Sequence, residues 1–566
     1  MEFIRICKIT ALLLFLLAGL GACDDALDKL PLDAPSDETF YTNETELEMA
    51  VTGAYRSLYW VSDVPFPVLL DNTTDLGFLR SDFSSMQTFS RGAHSPAEPG
   101  FSDVWEKMYT GIGRCNNLLN NMEKAREVVS DDTYRRIEAE ALFLRAYYYS
   151  WLLQLYGDVP FMEEVPAAIE DAYIPKTPRT EIVQRLLEDL DKVAEILPEN
   201  WGDSDEGRAT KGAALTLKAR IALYDGLFGE AAEAAFQVMN SGTYKLHPDY
   251  GELFTYAGVR VEEVIFDLPF QLGFMTTRLP LQLGPRNTGS WSQIVPSQFM
   301  VDSYECADGN PIDRSSLYDP AQPFENRDPR LDASLVRPQS VFAGYVFETH
   351  PDSTETTYFK DGVATRVANQ DVRNAFATFT GYLWRKYAAP EDMPQNAHTS
   401  GLSFILMRYA EVLLIYAEAK TELGQADATV LDAVNQVRAR AYGVDVGDTG
   451  NYPAVTTTNQ DELRTIIRRE RKVELANEGF RLTDIRRWKI AEHVMPGIFA
   501  GRPRGAYSNM TFVPEIDRYG HPNYNGSQDL YRSVDQRIFN PGRDYLWPIP
   551  QKDMDVNPAL EQNPGY

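Results

Sequence analysis

Long stretches of this chain repeat their apolar residues at intervals of three and four positions. The pattern is strongest in residues 133–155, 211–240 and 404–423. Such spacing places apolar side chains on one face of an α-helix, where they can be buried against another helix. At 211–240 a short turn divides two such helices, and small residues such as Ala214 and Ala219 alternate with large ones, so the helices can pack closely. The chain is therefore predicted to be mainly α-helical.

The 211–240 segment resembles a tetratricopeptide repeat, whose unit is a helical hairpin of about 34 residues. Further helical patterns occur at 180–197 and 460–477. Sequential hairpins of this kind stack into a continuous scaffold. We predict four tetratricopeptide-like hairpins, divided between an N-terminal helical part, residues 41–250, and a C-terminal part with the tail, residues 401–566.

Residues 251–400, between the two helical parts, have a different composition. They are rich in Pro, Gly, Asn and aromatic residues and contain few long periodic runs. This predicts loops, short strands and one small helix at Ser297–Tyr304. Long loops carried by a rigid scaffold are typical of binding proteins. We expect this irregular insertion to form much of a binding face.

The N-terminus has the features of an export signal. Arg5 and Lys8 precede an apolar run, Ile9 to Leu20, that is too short to span a bilayer as a helix. The residues Leu20 to Cys23 resemble the lipobox of bacterial lipoproteins, in which cleavage precedes the cysteine and its sulfur is lipidated. An ordinary secretory signal with a chance cysteine is the alternative. We predict a signal peptide at 1–22 and a lipidated tether at 23–40 that anchors the protein to a membrane.

The net charge of −28 limits the possible partners. Its field repels nucleic acid and anionic membrane surfaces, and no basic run offsets it. Neutral or cationic ligands fit this charge better, although solubility alone also explains it.

Cys115 and Cys306, the two cysteines outside the export signal, either form one disulfide or remain two buried thiols.

Four segments taken together resemble the SusD/RagB family. They lie at the start of the mature chain, around the 133–155 helix, through the C-terminal helices and in the tail, and they cover nearly all of the mature chain in order. The matching residues are Leu30-Pro31, Phe40 and Gly53 to Tyr55; Ala139 to Ala141, Phe143 to Ala146 and Tyr156 to Pro160; Arg408 to Ala419, Asn435 to Arg438, Glu470-Arg471, Glu474-Leu475, Glu478-Gly479, Arg481, Asp484 and Arg486 to Trp488; and Pro548 to Pro550, Asn557-Pro558 and Gln562 to Tyr566.

This resemblance implies a nutrient-binding lipoprotein of the Bacteroidetes type, held in the outer membrane and facing the cell exterior. Such proteins bind oligosaccharides or polysaccharide and deliver them to a SusC-like TonB-dependent transporter. RagB-like members imply oligopeptides as an alternative ligand. A surface hydrolase is a further alternative, since the paired carboxylates of a glycosidase have no linear motif, and so is a helical-repeat adaptor without a small ligand. We expect no enzymatic activity, no catalytic residue, no cofactor and no metal.

A sugar-binding surface needs exposed aromatic rings for the apolar faces of sugars and polar groups for their hydroxyl edges. Two loop segments combine both kinds of residue, and family members place ligand contacts in comparable loops. The first spans 71–89 and the second spans 286–291. Trp291 is the strongest single candidate, its alternative being a tryptophan packed on the core. The candidate ligand-binding residues are Asp71, Asn72, Asp75, Arg80, Phe89, Arg286, Asn287 and Trp291.

The lipobox makes the anchor testable. Replacing Cys23 by Ala removes the sulfur that would carry the lipid, so Cys23→Ala should release the protein from membranes or leave the precursor unprocessed. Membrane fractionation and the mass of the mature chain measure this. Processing and membrane retention like those of the parent protein would contradict the lipoprotein prediction.

Overall fold

The structure is a computed structural model, and it describes residues 40–59, 64–80, 86–202, 205–393 and 395–566. The predicted signal peptide (1–22), Cys23 and all of the predicted tether (23–40) except its last residue lie outside the described residues. Over the part of the chain that is described, no helix is both long and apolar enough to cross a membrane.

Helices dominate both ends of the described chain, which confirms the prediction of a mainly α fold. Helices α4 and α5 pack side by side, and α7 and α8 form a hairpin joined by residues 225–227. Helix α8 also packs against α13, so the N- and C-terminal helical parts form one continuous array. The helices are α1 (Glu44–Tyr55), α2 (Phe66–Asp71), α3 (Met86–Ser90), α4 (Pro99–Asn121), α5 (Asp131–Tyr156), α6 (Arg179–Ile196), α7 (Lys211–Tyr224), α8 (Phe228–Asn240), α9 (Leu279–Leu283), α10 (Gln298–Ser303), α11 (Arg330–Ser334), α12 (Gln370–Arg373), α13 (Tyr409–Glu422), α14 (Ala428–Ala441), α15 (Gln460–Glu474), α16 (Arg481–Arg487), α17 (Ala491–Val494) and α18 (Gln551–Val556).

Short strands lie mainly in the middle of the chain and in the tail. Strands β5 to β8 form a four-stranded antiparallel sheet, and the other strands pair two by two. The pairs β1–β3 and β2–β10 join the middle of the chain to segments before and after it. The strands are β1 (Gly77–Leu79), β2 (Val264–Leu268), β3 (Ile294–Pro296), β4 (Leu335–Val336), β5 (Val341–Phe342), β6 (Tyr345–Val346), β7 (Glu355–Lys360), β8 (Val363–Ala368), β9 (Leu383–Trp384), β10 (Phe404–Arg408), β11 (Gly497–Pro503), β12 (Glu515–Ile516), β13 (Pro522–Asn523) and β14 (Tyr531–Arg537).

One helical prediction was wrong at its start. Residues 404–423 were expected to be one helix, but 404–408 form strand β10 and the helix begins at Tyr409. The five residues of β10 are all buried, and they pair with β2. A short, fully buried apolar strand has no polar alternation, so its pattern cannot be told from that of a buried helix.

One large apolar core runs from the helical array into the middle of the chain. The rings of Phe143 on α5 and Phe266 on β2 meet edge to face, with centroids 5.2 Å apart. Trp384 on β9 is completely buried. Cys115 and Cys306 are separate buried thiols, as one of the two alternatives for these residues required.

A network of buried ion pairs joins the middle of the chain to the C-terminal helices. Arg408, which ends β10, contacts Glu474 at 2.6 Å, Glu478 at 2.7 Å and Glu263 at 2.9 Å. Arg330 on α11 contacts Glu474 at 2.9 Å. All five side chains are almost completely buried. The family-specific charged residues of this segment therefore face the interior and hold separate parts of the chain together.

Glu474 is the best-compensated carboxylate of this network. Burial by itself raises its pKa, but attraction by Arg440, Arg408 and Arg330 outweighs burial and holds the pKa well below its ordinary value. Because the unfolded chain binds this proton more readily, ionised Glu474 stabilises the fold. Its contribution is present above the ordinary pKa of 4.5 and is lost as pH falls below that value.

Replacing Glu474 by Gln leaves several buried arginines short of a counter-ion. We expect Glu474→Gln to lower the free energy of unfolding by roughly 3–5 kcal/mol at neutral pH. Urea denaturation measures the change. The difference in free energy of unfolding between the parent protein and Glu474→Gln should become smaller in acid. Glu462→Gln, an exposed change on the same helix, should cost less than about 0.5 kcal/mol. Equal effects of the two substitutions would contradict the role given to the network.

Candidate functional site

Asp71, a candidate ligand residue, lies in the core instead. Its carboxylate accepts hydrogen bonds from the backbone N–H groups of Glu478, Gly479 and Arg481, each at 2.9 Å. Gly479 has a φ of 96°, and a Cβ there would lie 2.4 Å from Pro67. Burial raises the pKa of Asp71 to about 7, although the three N–H donors oppose the rise. Asp71 thus fixes the turn after α15.

Asn72 and Asp75 are also internal. The Asn72 side-chain oxygen accepts a hydrogen bond from the indole N–H of Trp384 at 2.8 Å. Asp75 pairs with Arg481 at 2.8 Å and with Lys472 at 3.0 Å. The expectation that Asp71, Asn72 and Asp75 form an exposed loop was therefore wrong. A polar loop sequence predicts exposure, but here each polar group has a buried partner supplied by a distant segment.

Phe89, another candidate ligand-binding residue, is also buried. It lies on α3, where its ring meets that of Trp547 edge to face at 5.6 Å, and the guanidinium of Arg486 lies over it at 5.3 Å. Phe89 is only 4% exposed. The ring therefore packs in the core and is not available to stack on a ligand.

Arg80 brings two surface segments together. It follows β1, and its Nη1 donates to the carbonyl oxygens of Trp291 at 3.2 Å and Phe376 at 3.0 Å. Its guanidinium also lies 5.0 Å from the centre of the Phe376 ring. The side chain itself is buried. Of the predicted 71–89 loop, Arg80 does meet the 286–291 loop, and it acts there by positioning other residues.

The 286–291 loop is anchored to α12. Asp371 accepts hydrogen bonds from the Arg286 backbone N–H at 2.6 Å and from the Asn287 side-chain amide at 2.5 Å. The Asn287 side-chain oxygen in turn accepts from the Gln370 backbone N–H at 2.8 Å. Arg286, Asn287 and Trp291 are partly exposed at the surface. The structure therefore agrees with the surface position expected for these three residues, and their contact with a ligand stays a prediction.

Sequence reasoning missed the segment that follows α12. Phe376 is 54% exposed and Phe379 is 38% exposed. The Phe379 ring packs beside Phe78 of β1, with centroids 6.1 Å apart. Polar Asn374 and Thr378 lie between or beside these rings in the sequence. The criterion used for the other two loops, an aromatic residue close to amides and hydroxyls, would have selected this segment too.

A solvent-open cleft of about 1070 Å³ lies beside these rings. Its walls come from the 349–351 loop, from α12 and the segment after it, from Arg504 just after β11, and from strand β14. One partly exposed ring, that of Phe379, and amide, hydroxyl and guanidinium groups line the cleft, and a sugar ring requires groups of both kinds. The residues that line the cleft include Thr349, Asp371, Asn374, Thr378, Phe379, Arg504 and Arg532.

A second large groove, of about 1340 Å³, runs between α4 and α18. Its rings are less suited to stacking, because Trp105 is 5% exposed and the Tyr109 hydroxyl donates to the Pro160 carbonyl oxygen. Exposed Val165 and Val556 stand at its edges. This groove lies on the helical array, and its lining also includes the partly exposed ring of Tyr173 and polar Asn117.

Comparison with known proteins gives consistent matches over both helical parts and the middle of the chain. Residues 260–566 match the model of the SusD family, and residues 27–223 match a model described as starch-binding, associating with outer membrane. The chain is 28% identical over 589 residues to SusD-like protein P2 of Formosa agariphila, with 99% of each protein covered. It is 24% identical over 479 residues to the starch-binding protein SusD of Bacteroides thetaiotaomicron, with 76% of this chain and 83% of that protein covered. A solved structure of a SusD-like carbohydrate binding protein from Bacteroides fragilis has a TM-score of 0.79 and 29% identity, with 92% of this chain and 100% of that one covered.

Asp371 provides a test of how the 286–291 loop is held. Burial raises its pKa from 3.8 to about 6, although the N–H groups of Arg286 and Asn287 oppose the rise. The native state therefore binds the proton more tightly than the unfolded chain. The contribution of Asp371 to the free energy of unfolding should fall as pH rises from about 4 to about 6, by roughly 3 kcal/mol at most.

Asp371→Asn removes this ionisation. We expect the parent protein to lose stability relative to Asp371→Asn as pH rises through that window, and urea denaturation at several pH values measures it. Asp352→Asn, which changes a carboxylate that is 92% exposed, should differ from the parent protein by nearly the same free energy of unfolding at every pH. If the difference between Asp371→Asn and the parent were also independent of pH, Asp371 would not be a buried carboxyl group that binds its proton more tightly in the native state.

Proposed function

Because this chain belongs to the SusD family, we propose that it is a surface lipoprotein that captures glycans at the cleft lined by Phe379, with the nearby rings of Phe376 and Trp291 extending the stacking surface. In this proposal Cys23 carries a lipid that holds the protein in the outer membrane, facing the cell exterior. The bound oligosaccharide or polysaccharide then passes to a SusC-like TonB-dependent transporter. The protein acts by binding and performs no chemical step.

The observation that carries this proposal is the exposure of Phe376 and Phe379 together with the partly exposed Trp291. Exposed rings of this size are costly to leave in water, and they are held in place by Arg80 and by packing on Phe78. Amides and hydroxyls lie within the same loops. Stacking on the rings would supply affinity, and the polar groups would select among sugars.

The relatives support carbohydrate as the ligand class. One is named a starch-binding protein and another a carbohydrate binding protein. The description of the N-terminal family model places its members at the outer membrane. These names favour a binding protein over a surface hydrolase, which would be recognised by the release of sugars or peptides from a substrate.

Two other binding functions predict different binding results from glycan capture. Oligopeptide capture, as in RagB-like members, predicts affinity for peptides and none for glycans. A helical-repeat adaptor is favoured only by the groove between α4 and α18, and it predicts that a partner protein binds there while neither ligand class binds the cleft.

Removing the rings tests the proposal. Trp291→Ala and Phe376→Ala should each weaken binding of the cognate glycan by roughly 1–3 kcal/mol, because stacking on the sugar is lost. Calorimetry against a glycan panel measures the affinity, and a thermal melt checks folding. Phe274→Ala, which removes a ring that is 85% exposed elsewhere, is the matched control and should leave affinity unchanged.

The two readouts separate the possible failures. Unchanged affinity with a large fall in the melting temperature of Trp291→Ala would mean that Trp291 packs on the core, as its alternative interpretation required. Unchanged affinity in both variants would exclude this cleft as the glycan site. Binding of peptides instead of glycans would replace the ligand class.

A further inference from the structure

Three arginines are concentrated at one wall of the cleft. Arg502 lies on β11 and is 1% exposed, and Arg504 follows the same strand at the surface. Arg532 lies on the paired strand β14 and is partly exposed. Arg504 and Arg532 line the cleft directly, and Arg502 lies close enough to Arg532 to repel its charge. The wall formed by β11 and β14 therefore carries three positive charges.

No carboxylate among the described residues lies within 4.0 Å of these guanidinium groups. Their hydrogen bonds run mainly to carbonyl oxygens. Arg532 donates to Thr349 at 2.6 Å, Arg504 donates to Tyr531 at 2.7 Å, and Arg502 donates to Pro503 at 3.0 Å. The remaining N–H groups of Arg504 and Arg532 are left for a ligand.

The three arginines of the wall differ in this from the buried ion-pair network. Arg408, Arg330 and Arg438 each contact at least two carboxylates, whereas the wall arginines, like buried Arg327 and Arg486, bond mainly to carbonyl oxygens. Burial and repulsion by Arg502 lower the pKa of Arg532, so the cluster costs stability in the unliganded protein. An arrangement that is unfavourable for folding and faces a cleft is a feature of binding sites.

The acidic residues near the wall do not neutralise it. Asp371 is the one carboxylate among the described residues that line the cleft. Its oxygens accept hydrogen bonds from Arg286 and Asn287, on the loop that it anchors. Glu348 precedes Thr349, and its carboxylate accepts from the Ser353 hydroxyl at 3.0 Å. The cleft wall is therefore positive in a protein whose net charge is −28.

We infer that the ligand of this cleft is an anionic glycan, one that carries sulfate or carboxylate groups. Arg504 and Arg532 would bind the anionic oxygens while Phe379 and its neighbouring rings stack on the sugars. Guanidinium groups suit this task because they present two parallel N–H donors to a carboxylate or sulfate. This inference rests on the proposed glycan capture and specifies its ligand. It departs from the expectation, drawn from net charge alone, that a neutral or cationic ligand fits best.

The experiment uses glycan pairs that differ only in charge. Sulfated carrageenan oligosaccharides are compared with their desulfated form, and oligogalacturonate is compared with its methyl ester, by calorimetry against the mature protein. At least one charged member should bind about tenfold more tightly than its uncharged partner, since hydrogen bonds to charged groups are the stronger ones. The sulfate pair and the carboxylate pair distinguish the two sources of negative charge.

Arginine variants then locate the effect. Arg504→Gln, an exposed change with little expected effect on folding, should remove most of the preference for the charged member, measured as the ratio of the two affinities. Arg532→Gln should do the same, with a thermal melt to check folding. Arg135→Gln makes an equal change in net charge at an exposed position on α5 and should leave the preference intact.

The possible results distinguish a failure of the anionic-ligand inference from a failure of the proposed glycan capture. Equal binding of charged and uncharged partners would overturn the anionic ligand and leave glycan capture standing. A charge preference that persists in Arg504→Gln and Arg532→Gln would also overturn it, because the anion would then bind elsewhere. If no charged or uncharged glycan bound at all, both the inference and the proposed function would be wrong.

Discussion

The cluster of ion pairs around Glu474 is the constraint on which the rest of the fold depends. Removing charged side chains from water is costly, and it is tolerated only where each charge meets close partners. Arg330 comes from the middle of the chain, Arg408 from the end of β10 and Glu474 from α15, and they meet within hydrogen-bond distance. Any arrangement that separated these segments would leave a buried charge unpaired. The middle of the chain is therefore part of the same body as the helices, although it interrupts them in sequence.

A few polar contacts join the candidate site to this body and fix the positions of its loops. Arg80 emerges next to β1 and holds the carbonyls of Trp291 and Phe376, while Asp371 holds the backbone of the 286–291 loop. Each contact joins residues that are far apart in sequence. Loops fixed in this way present their rings without reordering when a ligand arrives, which lowers the entropic cost of binding.

Charge is distributed unevenly between the surface as a whole and the cleft. A net charge of −28 describes long-range repulsion and solubility. Over a few ångströms, however, a ligand responds to the groups that touch it, because water and salt screen the more distant ones. If the ligand is anionic, as we infer, Arg504 and Arg532 would matter more to it than the summed charge does, and composition would be a poor guide to ligand charge in this protein.

Local pattern was sufficient to predict the helical elements. The periodic runs that become α5, α7 and α8 were identified from the sequence, as were the irregular middle of the chain and the resemblance to the SusD/RagB family, because the 3.6-residue period is a local property. The candidate site was predicted only in part. Arg286, Asn287 and Trp291 are at the surface, whereas Asp71, Asn72, Asp75 and Phe89 are in the core and Phe376 was missed. The sequence does not show whether a polar residue contacts water or a buried partner such as Trp384 or Arg481. Those partners lie hundreds of residues away along the chain. Only the tertiary structure brings them together, and so only it decides which polar loops remain free to meet a ligand.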